Sequence, residues 1–89
     1  MCSTVCDLEL DIRPSALKHG ITSESIAHAV TYVLYADEDF QGTEPPKVLI
    51  LGPDAAGNML EMIGSFATED VLTIFHAMTA RPALLRLLQ

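Results

Sequence analysis

Residues 48–78 read VLILGPDAAGNMLEMIGSFATEDVLTIFHAM. Three apolar runs stand in this stretch and the residue before it: Lys47–Leu51, Met59–Phe66 and Val71–Ala77. Each is five to eight residues long and rich in Val, Ile, Leu and Phe, which suits strands and is short for helices. Gly52-Pro53-Asp54-Ala55-Ala56-Gly57-Asn58 separates the first two, and Ala67-Thr68-Glu69-Asp70 the last two. Both separators are turn chemistry, so the stretch predicts a three-stranded antiparallel meander. Lys47–Leu51 is continuously apolar and predicts an inner strand. Met59, Leu60, Met62 and Ile63 read as sheet core.

Upstream, residues 5–13 alternate. Cys6, Leu8, Leu10 and Ile12 point one way, and Asp7, Glu9, Asp11 and Arg13 the other. That period of two predicts a strand with one buried face and one acidic, solvated face. Pro14 and Ser15 end it and open a short helix, PSALKHG, closed by Gly20. A second helix is predicted over 23–34, capped by Thr22 or Ser23, with Glu24 in its positive first turn. Ile26, Val30, Val33 and Leu34 form its apolar stripe, and His28, Thr31 and Tyr35 its solvent side. The run Tyr32-Val33-Leu34-Tyr35 is equally able to begin a strand. DEDFQGTEPP, residues 37–46, reads as a loop. Pro82 fits the first turn of a C-terminal helix over Ala83–Leu88. The expected class is a small α+β domain spanning 1–89, ordered β-α-α-β-β-β-α, with helices packed on an antiparallel sheet.

The 89 residues weigh 9.6 kDa, are 49% hydrophobic and 19% charged, and have a mean hydropathy of +0.31. This excludes a solvated disordered chain. So high an apolar fraction on so small a surface predicts a patch that a partner covers. No apolar run approaches the ~20 residues of a membrane span. MCSTVCDLELD has neither a basic n-region nor an apolar h-region, so no secretory signal is expected and the cytoplasm is the expected compartment. Twelve acids against five bases give a net charge of −7 and a pI near 4.6. A general nucleic-acid coat is therefore excluded, and any RNA or DNA site must be small and local. Only Arg13, Lys18, Lys47, Arg81 and Arg86 supply positive charge.

Cys2 and Cys6 in one extended segment lie ~13 Å apart, too far for an unstrained disulfide. No second Cys/His pair has zinc-finger spacing, and the acid rows Asp7/Glu9/Asp11 and Asp37/Glu38/Asp39 lack the converging oxygens that a hard cation needs. No metal and no cofactor is expected.

Three segments in order, LKHGIT (17–22), VLILGPDAAGNMLEMIG (48–64) and TIFHAMTARPALLRLL (73–88), resemble the BrnT-like toxins of bacterial type II toxin–antitoxin pairs. The resemblance spans about 15–88 and is nearest to an actinobacterial-type branch whose last strand ends in His-Ala-Met and then Arg-Pro. It implies the RelE/ParE-like fold and an RNA endonuclease that inhibits translation until a cognate antitoxin binds it. The matching positions are Lys18 and His19 at the end of the first helix, and His76 and Arg81 at and just beyond the last strand. RNA cleavage needs a base for the 2′-hydroxyl, an acid for the leaving oxygen and a cation for the phosphorane charge. Imidazole can serve as base or acid at neutral pH, and a guanidinium fork suits phosphate.

The chain departs from the family at His76-Ala77-Met78, where many members have Ser-Ala-Arg, and at Ala83 and Leu84, where related sequences have Lys-Tyr. The typical toxin is also basic. Two readings follow: a metal-independent ribonuclease acting on RNA and neutralised by its antitoxin, or a catalytically degenerate module of the same fold that binds an antitoxin-like or basic partner. A third, an acidic mimic of nucleic acid, rests on charge alone. Each site residue also has a purely structural use. Lys18 can cap a helix C-terminus, His19 can precede its closing glycine, His76 can be an edge-of-core residue beside Leu72, Ile74 and Met78, and Arg81 can pair with an acid.

Overall fold

The computed structural model describes residues 8–89. Strand β1 covers Glu9–Ile12 and leads into a 3-10 turn over Pro14–Leu17. Helix α1 covers Ser23–Thr31. Strands β2 (Tyr35–Phe40), β3 (Lys47–Pro53), β4 (Met59–Thr68) and β5 (Val71–Thr79) follow, then helix α2 (Pro82–Leu85) and a 3-10 turn over Arg86–Leu88. The class is α+β, and all five strands join one sheet in the order β1-β5-β4-β3-β2.

The meander read from residues 47–77 is present, its last strand running on to Thr79. β3 pairs antiparallel with β4, placing Leu49 opposite Ile63, and β4 pairs antiparallel with β5, placing Met62 opposite Ala77. The sheet as a whole is mixed and not antiparallel, because β1 lies parallel to β5 with Leu10 beside Leu72. The chain reaches that edge only after the 3-10 turn and α1 have carried it across one face. The described part of the predicted strand over 5–13 is β1. Its Val5, Cys6 and Asp7, and the reading of Cys2 and Cys6 as unpaired, lie outside the described residues.

Three expectations need correction. Residues 37–40 are not loop: Asp37-Glu38-Asp39-Phe40 finish β2, whose backbone pairs with β3 from Tyr35 opposite Leu51. An edge strand tolerates this acidity because its outer side is solvated. The helix predicted to run to 34 stops at Thr31, since the amide of Leu34 already donates to the carbonyl of Leu51 at 2.9 Å. The short helices at 14–20 and 82–88 are a single 3-10 turn and one α turn continued as 3-10, respectively.

The local signals for the ends hold. Thr22 caps α1, its hydroxyl accepting from the amide of Ser25 at 3.1 Å. Gly20 takes φ +84°, the left-handed conformation that lets the chain reverse into α1. The Gly-Pro-Asp…Gly-Asn turn is explained by its own hydrogen bonds. The Asp54 carboxylate accepts from the amides of Ala56 (3.0 Å) and Asn58 (2.8 Å), and Gly57 sits at φ +89°. The amide of Asn58, chiefly, holds the Asp54 carboxyl below its usual range.

Both faces of the sheet are apolar. On the first, Val48, Ile50, Leu60, Met62, Leu72 and Ile74 pack under Ile26, Ala29 and Val30 of α1 and Ala16 of the 3-10 turn. On the second, Leu49 and Leu51 pack with Ile63, Met59 and the C-terminal Leu84, Leu85 and Leu88. His28, expected on the solvent side, is half-buried, with Nδ1 2.8 Å from the carbonyl of Pro53 and its ring against Tyr32.

Candidate functional site

Strand β4 reads MLEMIG, and its one charged residue stands in mid-strand. Leu60 and Met62 bury on the first face. Glu61 therefore points to the second, where Leu51 of β3 and Met78 of β5 are its cross-strand neighbours. Its side chain is fully buried. A carboxylate taken out of water needs partners for its lone pairs, and two residues supply them.

The first is Arg81. β5 runs out at Thr79, and the amide of Ala80 donates to the carbonyl of Met59 at 2.9 Å. The chain stays extended at Arg81, because the following Pro82 disfavours helix there. That places the Arg81 amide 3.1 Å from Glu61 Oε1, while its Nε donates to Oε1 and its Nη2 to Oε2, both at 2.9 Å. The fork is bidentate, the strong geometry for this pair. The second partner is His76, whose Nε2 lies 3.1 Å from Glu61 Oε2. Burial works to raise the Glu61 carboxyl, but the hydrogen bonds from Arg81 and His76 outweigh it and hold the group below the ordinary glutamate value. Glu61 in turn raises Arg81. An ionised carboxylate only accepts, so Nε2 of His76 is the donor and Nδ1 is left for another partner.

His76 does not share a face with Leu72 and Ile74, as strict alternation predicts. Ile63 faces His76 while Gly64 faces Ile74, so Phe75 is an extra residue in β5. This bulge reverses the alternation, sends Ala77 into the first core and turns His76 towards Glu61. β1 has already ended at this level, and Ser15 Oγ donates to the free carbonyl of Phe75 at 2.6 Å. That bond pins the 3-10 turn to the open edge of β5. His19, two residues beyond the turn, meets the His76 ring edge-to-face with centroids 5.6 Å apart.

Of the four residues read from the sequence, three are thus brought together: His19 on His76, and His76 and Arg81 on Glu61. Lys18 is exposed at the end of the 3-10 turn and takes no part in these bonds. Glu61 was not read from the sequence. Among the described residues no three His, Cys, Asp or Glu side chains converge as a metal site, and no helix is long and apolar enough to cross a membrane.

Comparison with protein-family models, with curated proteins and with solved structures returned no match.

The cluster has two chemical capacities. It fastens the C-terminal segment, since one carboxylate binds both the backbone and the side chain of Arg81. It also holds an imidazole with a defined donor nitrogen and a second imidazole at its edge, 57 residues away in sequence. The His76 side chain is 24% exposed and Arg81 59%, so both remain within reach of a solute.

Proposed function

We propose that the chain is a metal-independent endoribonuclease of the BrnT-like toxin type, with a RelE/ParE-like fold, neutralised by a cognate antitoxin. The observation that carries this reading is the meeting of His19 and His76 with His76 held by a buried carboxylate. In this reading His76 Nδ1 accepts the 2′-hydroxyl proton. The freed oxygen attacks the adjacent phosphorus, and the bond to the 5′-oxygen breaks. His19 protonates that leaving oxygen, giving a 2′,3′-cyclic phosphate and a 5′-hydroxyl end. Glu61 positions His76 through Nε2, as a carboxylate does in a His–carboxylate pair. The Arg81 Nη1 donors left over from Glu61, with Lys18 beside His19, face the phosphorane charge.

A second reading is favoured by one specific observation. The Arg81 fork is filled by Glu61, so the cation best shaped for phosphate is already neutralised. That supports a non-catalytic module of the same fold.

The test is cleavage of RNA by the purified protein in EDTA, next to His76→Ala, His19→Ala and Glu61→Gln. The nuclease reading expects cleavage that His76→Ala and His19→Ala both abolish and that Glu61→Gln lowers about 10–100-fold, with ends carrying cyclic phosphate. No cleavage by the folded parent leaves the interaction module. Cleavage that survives both histidine changes refutes this site.

A further inference from the structure

The first face of the sheet is covered at one end only. α1 crosses it with Ala29 against Gly52, near the end where β3 finishes. At the other end, where β3 begins and β4 turns into β5, none of the described elements lies over the sheet. Val30, Val33, Val48, Ile50, Phe66 and Leu72 line an open hollow of about 250 Å3 there. A second hollow of about 250 Å3, walled by Pro45 and Pro46, adjoins it and shares Glu38, Val48 and Phe66. Val33 and Phe66 are 39% and 43% exposed, high for such side chains. The two hollows form one apolar groove.

The charge around the groove is one-sided. Glu38 and Asp39 of β2, Glu44 of the loop into β3, and Glu69 and Asp70 of the β4–β5 turn stand at this end, with Lys47 as the only base there among the described residues. Arg13 and Lys18 flank the 3-10 turn, and Arg81 and Arg86 lie in the C-terminal segment of the opposite face. Glu38 itself lines both hollows.

We propose that this groove docks a basic amphipathic helix of a second protein. Two adjoining hollows accept two successive apolar anchors of a helix, spaced i and i+4. Lysines or arginines flanking those anchors meet Glu38 and the acids at the strand ends. A small ligand is disfavoured, because among the described residues Glu38 is the only charged group lining the hollows and no polar groups converge to orient one. A second copy would set acidic rim against acidic rim, and nucleic acid or an anionic lipid surface would be repelled. The groove lies on the sheet face away from Glu61, so this proposal stands apart from the nuclease reading and either can fail alone.

The experiment uses the full chain and a labelled 18-residue peptide with leucines at i, i+4, i+7 and i+11 and lysines beside them. A control peptide carries glutamates in place of the lysines. Fluorescence anisotropy reads affinity, and amide shifts in 15N-labelled protein read the location. Saturable binding of the lysine peptide is expected, with shifts at Val33, Val48 and Phe66. Phe66→Asp and Glu38→Lys, both at exposed positions and checked for unchanged cooperative unfolding, should each weaken it at least ~10-fold. No saturable binding, equal binding of the glutamate peptide, or shifts confined elsewhere would overturn the proposal. So would sedimentation of the parent as a dimer that Phe66→Asp dissociates, which would assign the groove to a second copy.

Discussion

Glu61 is the residue on which the C-terminal half turns. It receives three hydrogen bonds from Arg81 and one from His76 and is otherwise enclosed by apolar strand residues. Its folded carboxyl lies below the ordinary value, so the native state favours the ionised form more than the unfolded chain does. Stability from this group is therefore fully present above about pH 4.3, the unfolded value, and drains away as pH falls through the folded one. Glu61→Gln keeps the shape and removes the charge. We expect it to lower stability by about 1–2 kcal/mol at pH 7, less than a fully buried ion pair would lose because the Arg81 side chain is 59% exposed. The variant's urea midpoint should also fall less than the parent's between about pH 5 and pH 3. Equal slopes in the two proteins would show that Glu61 is not the group responsible. The sequence offered one signal for this residue, a lone acid in the middle of an apolar strand between two others. Alternation alone sends such an acid to solvent, and only the C-terminal segment folding back over the second face changes that.

At the scale of elements, period and turn chemistry identified β3, β4 and β5, the cap at Thr22 and the reversal at Gly20. They did so because each of these depends on neighbours in sequence. What failed depends on neighbours in space. β2 is acidic at three of its six positions and is a strand only because β3 offers it an edge. The parallel seat of β1 is set by the crossing of α1, and the facing of His76 by one extra residue at Phe75. The same crossing makes a prediction. A Cβ added at Gly52 would collide with the carbonyl of Ala29, which is backbone and cannot swing aside. Gly52→Ala should lower stability by about 1–3 kcal/mol through displacement of α1. Thr22→Ala, which removes the cap without moving the helix, should lower it by about 1 kcal/mol. Thermal melts of the two variants check both. A Gly52→Ala protein as stable as the parent would mean that α1 does not press on β3 as described.

For the whole molecule, net charge and charge placement carry different information. The value of −7 excluded a broad nucleic-acid surface and could say nothing of where the five bases lie. The fold leaves four of them outside the acidic groove end. Of these, Arg81 is held by Glu61 and Arg13 lies 3.8 Å from Asp11. Lys18 and Arg86 are left as cations outside any ion pair among the described residues. Each phosphate neutralised on a single strand contributes about −0.7 to the slope of log K against log salt, so two give about −1.4. Titrating a short RNA into the His76→Ala protein, which the nuclease proposal expects to bind without cutting, at several salt concentrations should yield a slope of that size. A slope of about −2.1 would require a third cation on RNA, and one that Arg81→Ala returns to about −1.4 would mean that Arg81 leaves Glu61 to bind phosphate. In that event Glu61 would be a latch on the arginine as well as a rest for His76. Glu61→Gln would then bind RNA more tightly than the parent even as it cuts more slowly. Those two readouts separate a carboxylate that only positions His76 from one that also restrains Arg81.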